Sequence, residues 1–255
     1  MSSTTGTPCC GLTYDAGGTD GPLLVLIHGL GATAGVWSPM LAEGRWRGRW
    51  IAPDLPGHGG SDHSGDYSVD ALAAAIGALI EAERNGTEVT ILGHSLGGLV
   101  AIRLAGGGLP VRAAYGLGIK VDWTDEELQR FAGLAARPAK LLPNKEEALA
   151  QHRRNCGLGE VPTDSPLLAR GVSERDGAWH TAMDMAAFAV KRPDMAGLVA
   201  AAGCPVRLAC GEGDAMISAE RLRDFDTCAF AIGGAGHNGM VDAPGVIWDW
   251  LEQAP

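Results

Sequence analysis

The stretch Glu88 to Ala105, EVTILGHSLGGLVAIRLA, limits what this chain can fold into more than any other. Val89, Ile91 and Leu92 form an apolar run of strand length, as in a parallel strand buried on both faces. Gly93-His94-Ser95-Leu96-Gly97-Gly98 follows, and the apolar pattern resumes at Leu99, Val100, Ile102 and Leu104 with the spacing of one helix face. Strand, sharp turn and helix with a serine at the apex make the nucleophile-elbow pattern G-x-S-x-G. The glycines have a steric reason: at so tight a bend a Cβ at 93 or 97 collides with the neighbouring strand or helix, and Ser95 is forced toward strained angles. The bend presents the Ser95 hydroxyl beside a helix N-terminus, where backbone N–H groups and the helix dipole favour a developing negative charge.

The segments before it repeat the theme. Residues 1–10 read as frayed, and Leu12 to Ala16 as a short edge strand. Pro22 to Ile27 is a strand-length apolar run that stops at His28-Gly29-Leu30-Gly31, a loop whose backbone can approach the nucleophile closely and supply an oxyanion donor. His28 is expected to pack and hydrogen-bond there rather than catalyse. Trp50-Ile51-Ala52 is the next strand, and Asp54 to Asp62 is a turn-rich loop that Asp54 and His58 fix. Ser68 caps a helix from Val69 to about Arg84 with Leu72, Ile76, Leu79 and Ile80 inward. Val111 to Gly118 is a further buried strand. Strands and helices alternating through short loops call for an α/β fold, a mostly parallel central sheet flanked by helices.

From Ile119 to Ala202 the pattern changes. Thr124 followed by three acids opens a helix, Asn144-Lys145 opens a second, and Pro166 to Val190 carries Trp179, Met183, Met185 and Phe188. No strand is expected there, so residues 119–202 read as a helical cap inserted after the sixth strand of a core domain made of 1–118 and 203–255. The sheet resumes at Pro205 to Cys210, followed by Gly211-Glu212-Gly213-Asp214. A last strand near Cys228 to Ile232 precedes Gly236-His237, and a helix from Gly245 to Gln253 closes the chain.

Bulk properties narrow the partners. With 20 basic and 30 acidic residues the net charge is −10, which disfavours nucleic acid and anionic membranes. No run of 18 apolar residues exists, so no membrane association is expected. The start MSSTTGTPCC lacks the basic and apolar regions of a secretory signal, and the six cysteines show neither metal spacing nor a disulfide framework. The expectation is a cytoplasmic protein with reduced thiols, no metal and no cofactor.

Ser95, Asp214 and His237 thus fall at the carboxyl ends of strands, where open α/β sheets place their sites. Their order, Ser then Asp then His, belongs to one scaffold. In HGLG, DLPGHGGSD, GHSLGG, GEGD and GAGH, from about Gly21 to Leu251, the sequence resembles the α/β-hydrolase superfamily. The residue chemistry agrees: a serine hydroxyl needs an adjacent imidazole to take its proton, and an aspartate to hold that ring in the right tautomer. The resemblance implies an oxyanion hole made by the backbone N–H groups of Leu30 and Leu96. Asp122, after the strand that follows the elbow helix, is an alternative acid, for which Asp214 in GEGD is the better match.

The implied function is a serine hydrolase acting on a carboxylic ester, thioester or lactone of small to medium hydrophobic character, with a small molecule as partner. His94, Trp123, Trp179, Met183 and Phe188 are the candidate pocket residues. Carbon–carbon bond hydrolysis, acyl transfer and cofactor-free haloperoxidase activity use the same triad. A non-enzymatic ligand-binding member is the reading from another class, and such members often lose a triad residue. Substrate identity and oligomeric state are not legible.

Overall fold

The computed structural model describes residues 4–5, 10–159 and 161–253. Its centre is an eight-stranded sheet in the order β1-β2-β4-β3-β5-β6-β9-β10. The strands are β1 (Thr4–Thr5), β2 (Tyr14–Gly18), β3 (Leu23–Ile27), β4 (Arg49–Pro53), β5 (Val89–His94), β6 (Val111–Leu117), β9 (Val206–Gly211) and β10 (Phe230–Ile232). From β4 to β10 every pairing is parallel, while β2 joins β4 antiparallel and β1 joins β2 antiparallel. The fold is the expected mostly parallel sheet flanked by helices. Thr4 and Thr5 pair with Ala16 and Asp15, so this part of the N-terminal stretch is a strand rather than frayed chain; residues 1–3 and 6–9, including Cys9, lie outside the described residues.

The period-two geometry of the strands feeds two cores. In β3, Leu23, Val25 and Ile27 face one side, where they meet Leu72, Ile76, Leu79 and Ile80 of α2 (Val69–Glu83) and Val100 and Leu104 of α3 (Leu96–Ala105). Leu24 and Leu26 face the other, against Trp37, Met40 of α1 (Ser38–Glu43), and Trp248 and Leu251 of α9 (Pro244–Glu252). Burying a side chain of this size contributes about 1.5–3 kcal/mol each relative to exposure, so the sheet is sandwiched firmly.

Between the neighbours β6 and β9 the chain leaves the sheet. It forms α4 (Asp125–Ala135), α5 (Lys145–Asn155), an antiparallel hairpin of β7 (Val172–Arg175) and β8 (Ala178–Thr181), and α6 (Met195–Ala201). Short 3₁₀ turns at Pro166–Leu168 and Met185–Phe188 flank the hairpin. The expectation of no strand between Ile119 and Ala202 is therefore corrected. Asp176 and Gly177 both have positive φ, 51° and 75°, and this two-residue turn closes the hairpin as Asp-Gly turns do. The segment does not float: Leu149, Leu158, Leu167 and Leu168 belong to the same apolar cluster as Trp37 and Trp248. The remaining short helices, α7 (Ala219–Leu222) and α8 (Gly239–Asp242), follow β9 and β10. No helix among the described residues is long and apolar enough to cross a membrane.

Candidate active site

The carboxyl ends of β3, β5, β6, β9 and β10 converge on one edge of the sheet. Ser95 stands between β5 and α3 with φ 51° and ψ −114°, a backbone conformation that costs a non-glycine residue of order 1–3 kcal/mol. Packing holds it there. A Cβ on Gly93 would lie 2.0 Å from the Gly97 carbonyl oxygen, and one on Gly97 would lie 2.2 Å from that of Ile27. Neither distance is possible, so only glycine lets the turn close against the helix and the neighbouring strand. Ser95 donates its N–H to the Leu117 carbonyl at 2.8 Å, which ties the elbow to the end of β6. Leu96 is the first residue of α3, and its N–H has no intrahelical acceptor.

The loop after β3 approaches from the other side: a Cβ on Gly29 would lie 3.1 Å from the Ser95 Cβ and 2.9 Å from His94 Nδ1. Leu30 is the next residue of this loop, directly after the glycine that meets the elbow. After β9, the Asp214 side chain is fully buried and its Oδ2 lies 2.8 Å from Nδ1 of His237. Its Oδ1 accepts the Met216 N–H at 2.8 Å. The carboxylate therefore accepts from Nδ1–H, which in the neutral ring puts the accepting lone pair on Nε2. The ring keeps 19% of its surface exposed. Gly118, at the end of β6 with φ +64°, underlies this pair; a Cβ there would sit 3.3 Å from both Asp214 Oδ2 and the His237 ring.

The alpha/beta hydrolase family model matches residues 24–250. The chain belongs to the alpha/beta hydrolase family. Among curated relatives, the magnesium-chelatase 30 kDa subunit of Rhodobacter capsulatus is 31% identical over 163 residues, 63% of this chain and 50% of that protein. The pimeloyl-acyl-carrier-protein methyl ester esterase of Nitrosomonas europaea is 40% identical over 86 residues, 34% of this chain and 32% of that protein. The matches span half or less of these relatives' lengths. Of solved structures, E-2-(acetamidomethylene)succinate hydrolase superposes with a TM-score of 0.82 at 22% identity over 99% of each chain, a likeness of fold.

In this alpha/beta hydrolase the expected residues divide into groups. Ser95, Leu96, Leu30, His94, Asp214 and His237 gather at the sheet edge. His94 is buried beneath the elbow; its Nε2–H donates to the His237 backbone carbonyl at 2.9 Å, and the two rings lie 4.6 Å apart. Burial, and then the neighbouring His237, push its basicity well below the ordinary imidazole value, so it stays neutral. Trp123 and Phe188 both stack on Phe131, at 5.2 and 5.8 Å. Met183 is buried and bridges His58 through its backbone. Trp179 lies in the hairpin, its backbone paired with Leu142 and Lys145 over its ring. Asp122 is exposed and bound by both arms of Arg221, at 2.9 and 3.0 Å. Cys156, Cys204, Cys210 and Cys228 are free thiols, and no metal-binding cluster occurs among the described residues.

Two participants escaped the sequence reading. Asn238, next to His237, donates from Nδ2 to the Cys156 and Gly157 carbonyls at 3.1 and 2.9 Å, fastening the histidine loop to the segment between β6 and β9. Arg170 reaches from that segment to Asp54 and Asp15. Pairs so far apart in the chain leave no local spacing to read.

Proposed function

We propose that this protein is a serine hydrolase that cleaves neutral carboxylic esters, thioesters or lactones of small to medium hydrophobic character through an acyl-enzyme. The observation that carries the reading is the 2.8 Å Asp214–His237 contact on the same sheet edge as a serine held at φ 51°. Ser95 Oγ attacks the carbonyl carbon while Nε2 of His237 takes its proton. The tetrahedral oxyanion is met by the Leu30 and Leu96 N–H groups. Collapse expels the alcohol or thiol, which receives the proton from His237; water then attacks the acyl-serine by the same path and releases the acid. Residues 119–202 act as the cap over this site, and the esterase among the relatives supports the ester class.

Charge favours a neutral substrate over an anionic one. Lys120, two residues beyond Gly118, is the cation nearest the sheet edge in sequence. It is 3.0 Å from Glu127 and over the Trp123 ring, already matched in charge. A carboxylate-bearing substrate wants a free cationic clamp. The test is a panel of p-nitrophenyl esters of rising acyl length, beside labelling with a fluorophosphonate. Ser95→Ala is expected to abolish both turnover and labelling with the fold intact. Each methylene accommodated should add about 0.8 kcal/mol to transition-state binding until the cap limits it. A labelled Ser95→Ala variant, or a clear preference for carboxylate-bearing substrates, overturns the reading.

A further inference from the structure

The loop that carries Leu30 is held by a buried polar network. His28 Nδ1–H donates to the Gly29 carbonyl at 2.8 Å, and its Nε2 accepts the Leu55 N–H at 2.8 Å. His58 Nδ1–H donates to the Pro56 carbonyl at 3.1 Å, so its Nε2 accepts the Gly31 N–H, also at 3.1 Å. Asp54 Oδ1 accepts the Ala34 N–H at 2.8 Å, and Oδ2 accepts the Gly60 N–H at 3.0 Å. The residues on either side of Leu30 are thus pinned at Gly29 O and Gly31 N, and the loop is pinned again at Ala34 N. The Leu30 N–H has no such partner among the described residues.

This network contains a fully buried carboxylate, and its counter-charge comes from elsewhere in the chain. Arg170 of the segment between β6 and β9 places Nε 2.7 Å from Asp54 Oδ2 and Nη2 3.2 Å from Oδ1. Its remaining donors hold Asp15 of β2, at 2.9 and 3.1 Å. Two forked pairs on one guanidinium are a demanding geometry that only arginine supplies. Arg170 is also a non-glycine residue with φ 58°, a conformation maintained only where the surroundings over-determine it. Its neighbour Ala169 accepts the Thr33 hydroxyl at 2.7 Å, so the same turn touches the Leu30 loop directly.

The histidines can accept these N–H groups only while neutral. They face one another at 5.2 Å, and Asp54, Arg170, His94, His152, His63 and Asp184 are the titratable and charged groups around them. The Asp54 charge favours imidazolium at both rings, and Arg170 opposes it at His28.

We propose that Arg170 is a positioning residue for the oxyanion hole: acting through Asp54 and the 54–62 loop, it fixes the Leu30 N–H where charge develops on the substrate. The proposal rests on the serine-hydrolase reading above and extends it, since it makes the inserted segment part of the catalytic support and not only a cover.

The test compares Arg170→Lys and Arg170→Met with the full-length wild type on a p-nitrophenyl ester, each variant checked by circular dichroism at the assay temperature. An oxyanion donor acts mainly in the transition state, and losing one lowers kcat by about 10²–10³. Partial misplacement should give a graded loss: a several-fold fall in kcat for Lys, which keeps the charge but not the fork, and at least ~10-fold for Met, with KM nearly constant in both. Should Met fail to fold, Lys against wild type decides alone. Folded variants with wild-type kcat, or a loss confined to KM, overturn the proposal. Ser95→Ala in the same assay separates the two readings: wild-type turnover that survives Ser95→Ala removes the serine mechanism itself, whereas turnover that depends on Ser95 but is indifferent to Arg170 removes only this inference.

Discussion

An aspartate hydrogen-bonded to one nitrogen of an imidazole controls which proton the imidazole can take. Asp214 accepts from His237 Nδ1–H, so Asp214→Asn places an amide N–H₂ or a weaker acceptor against that nitrogen and favours the tautomer that cannot accept from Ser95. The expected outcome is a kcat lower by on the order of 10³–10⁴-fold with the fold intact. Asp122→Asn, which disturbs only an exposed pair with Arg221, should leave kcat within about twofold. Steady-state kinetics of the two variants checks this, and the reverse ranking moves the acid to the end of β6. Gly118→Ala probes the floor of the same pair. The new Cβ at φ +64° would press on Asp214 and His237 at 3.3 Å. We expect about 1–2 kcal/mol of lost stability in urea titration together with reduced kcat. At this scale the sequence was most legible where close packing demands glycine: Gly93, Gly97 and Gly29 mark the sharp turn at Ser95 and the loop that approaches it. Gly118 ends an apolar strand, but its reason for being glycine lies in residues about a hundred positions away, and no local pattern records that.

Elements were read correctly where periodicity and caps agreed. Ser68, Thr124 and Asn144 all cap helices as their positions suggest, each accepting a backbone N–H from the third residue on. The β7–β8 hairpin has a strong turn signal in Asp176-Gly177, but its strands are only four residues each and partly buried or exposed, so they carry no clear apolar alternation. Helix α4 is legible but weakly anchored. It has no fully buried residue, and it rests on a capping box, the Lys120–Glu127 and Arg192–Asp125 pairs, and the Phe131 contacts with Trp123 and Phe188. Exposed ion pairs contribute little, so α4 should open locally far more often than α3, which is buried almost throughout. Hydrogen exchange is expected to show faster α4 amides. Thr124→Ala should cost about 1 kcal/mol, speeding that exchange roughly fivefold while the global melting temperature barely moves. Equal protection of α3 and α4 refutes this picture.

For the whole molecule, the buried histidines set the acid limit of stability. Desolvation, reinforced at His28 by His58, pushes His28 down from 6.5 to about 3. Burial likewise takes His152 down to about 4, with His58 adding to the effect. His58 and His94 are lowered too, chiefly by burial. The unfolded chain exposes all four near the ordinary value of about 6.5, so between about pH 6.5 and pH 3–4 it binds protons that the folded chain refuses. Stability rises with pH wherever the unfolded state holds more protons; it is therefore complete above about pH 6.5 and falls as the medium is acidified through this window. His28 and His152 alone represent on the order of 3–5 kcal/mol each at the acid end, comparable with the whole stability of a domain of this kind. Urea unfolding at a series of pH values should show a steep decline below about 6, steeper than one proton per molecule. His152→Gln should remove close to one proton from that slope between about pH 6.5 and 4, whatever it does to stability at pH 8. A stability that stays flat from pH 7 to 4, or a slope unchanged in His152→Gln, means the imidazoles titrate freely in the folded protein and that the network around the Leu30 loop is not held in its neutral form by burial.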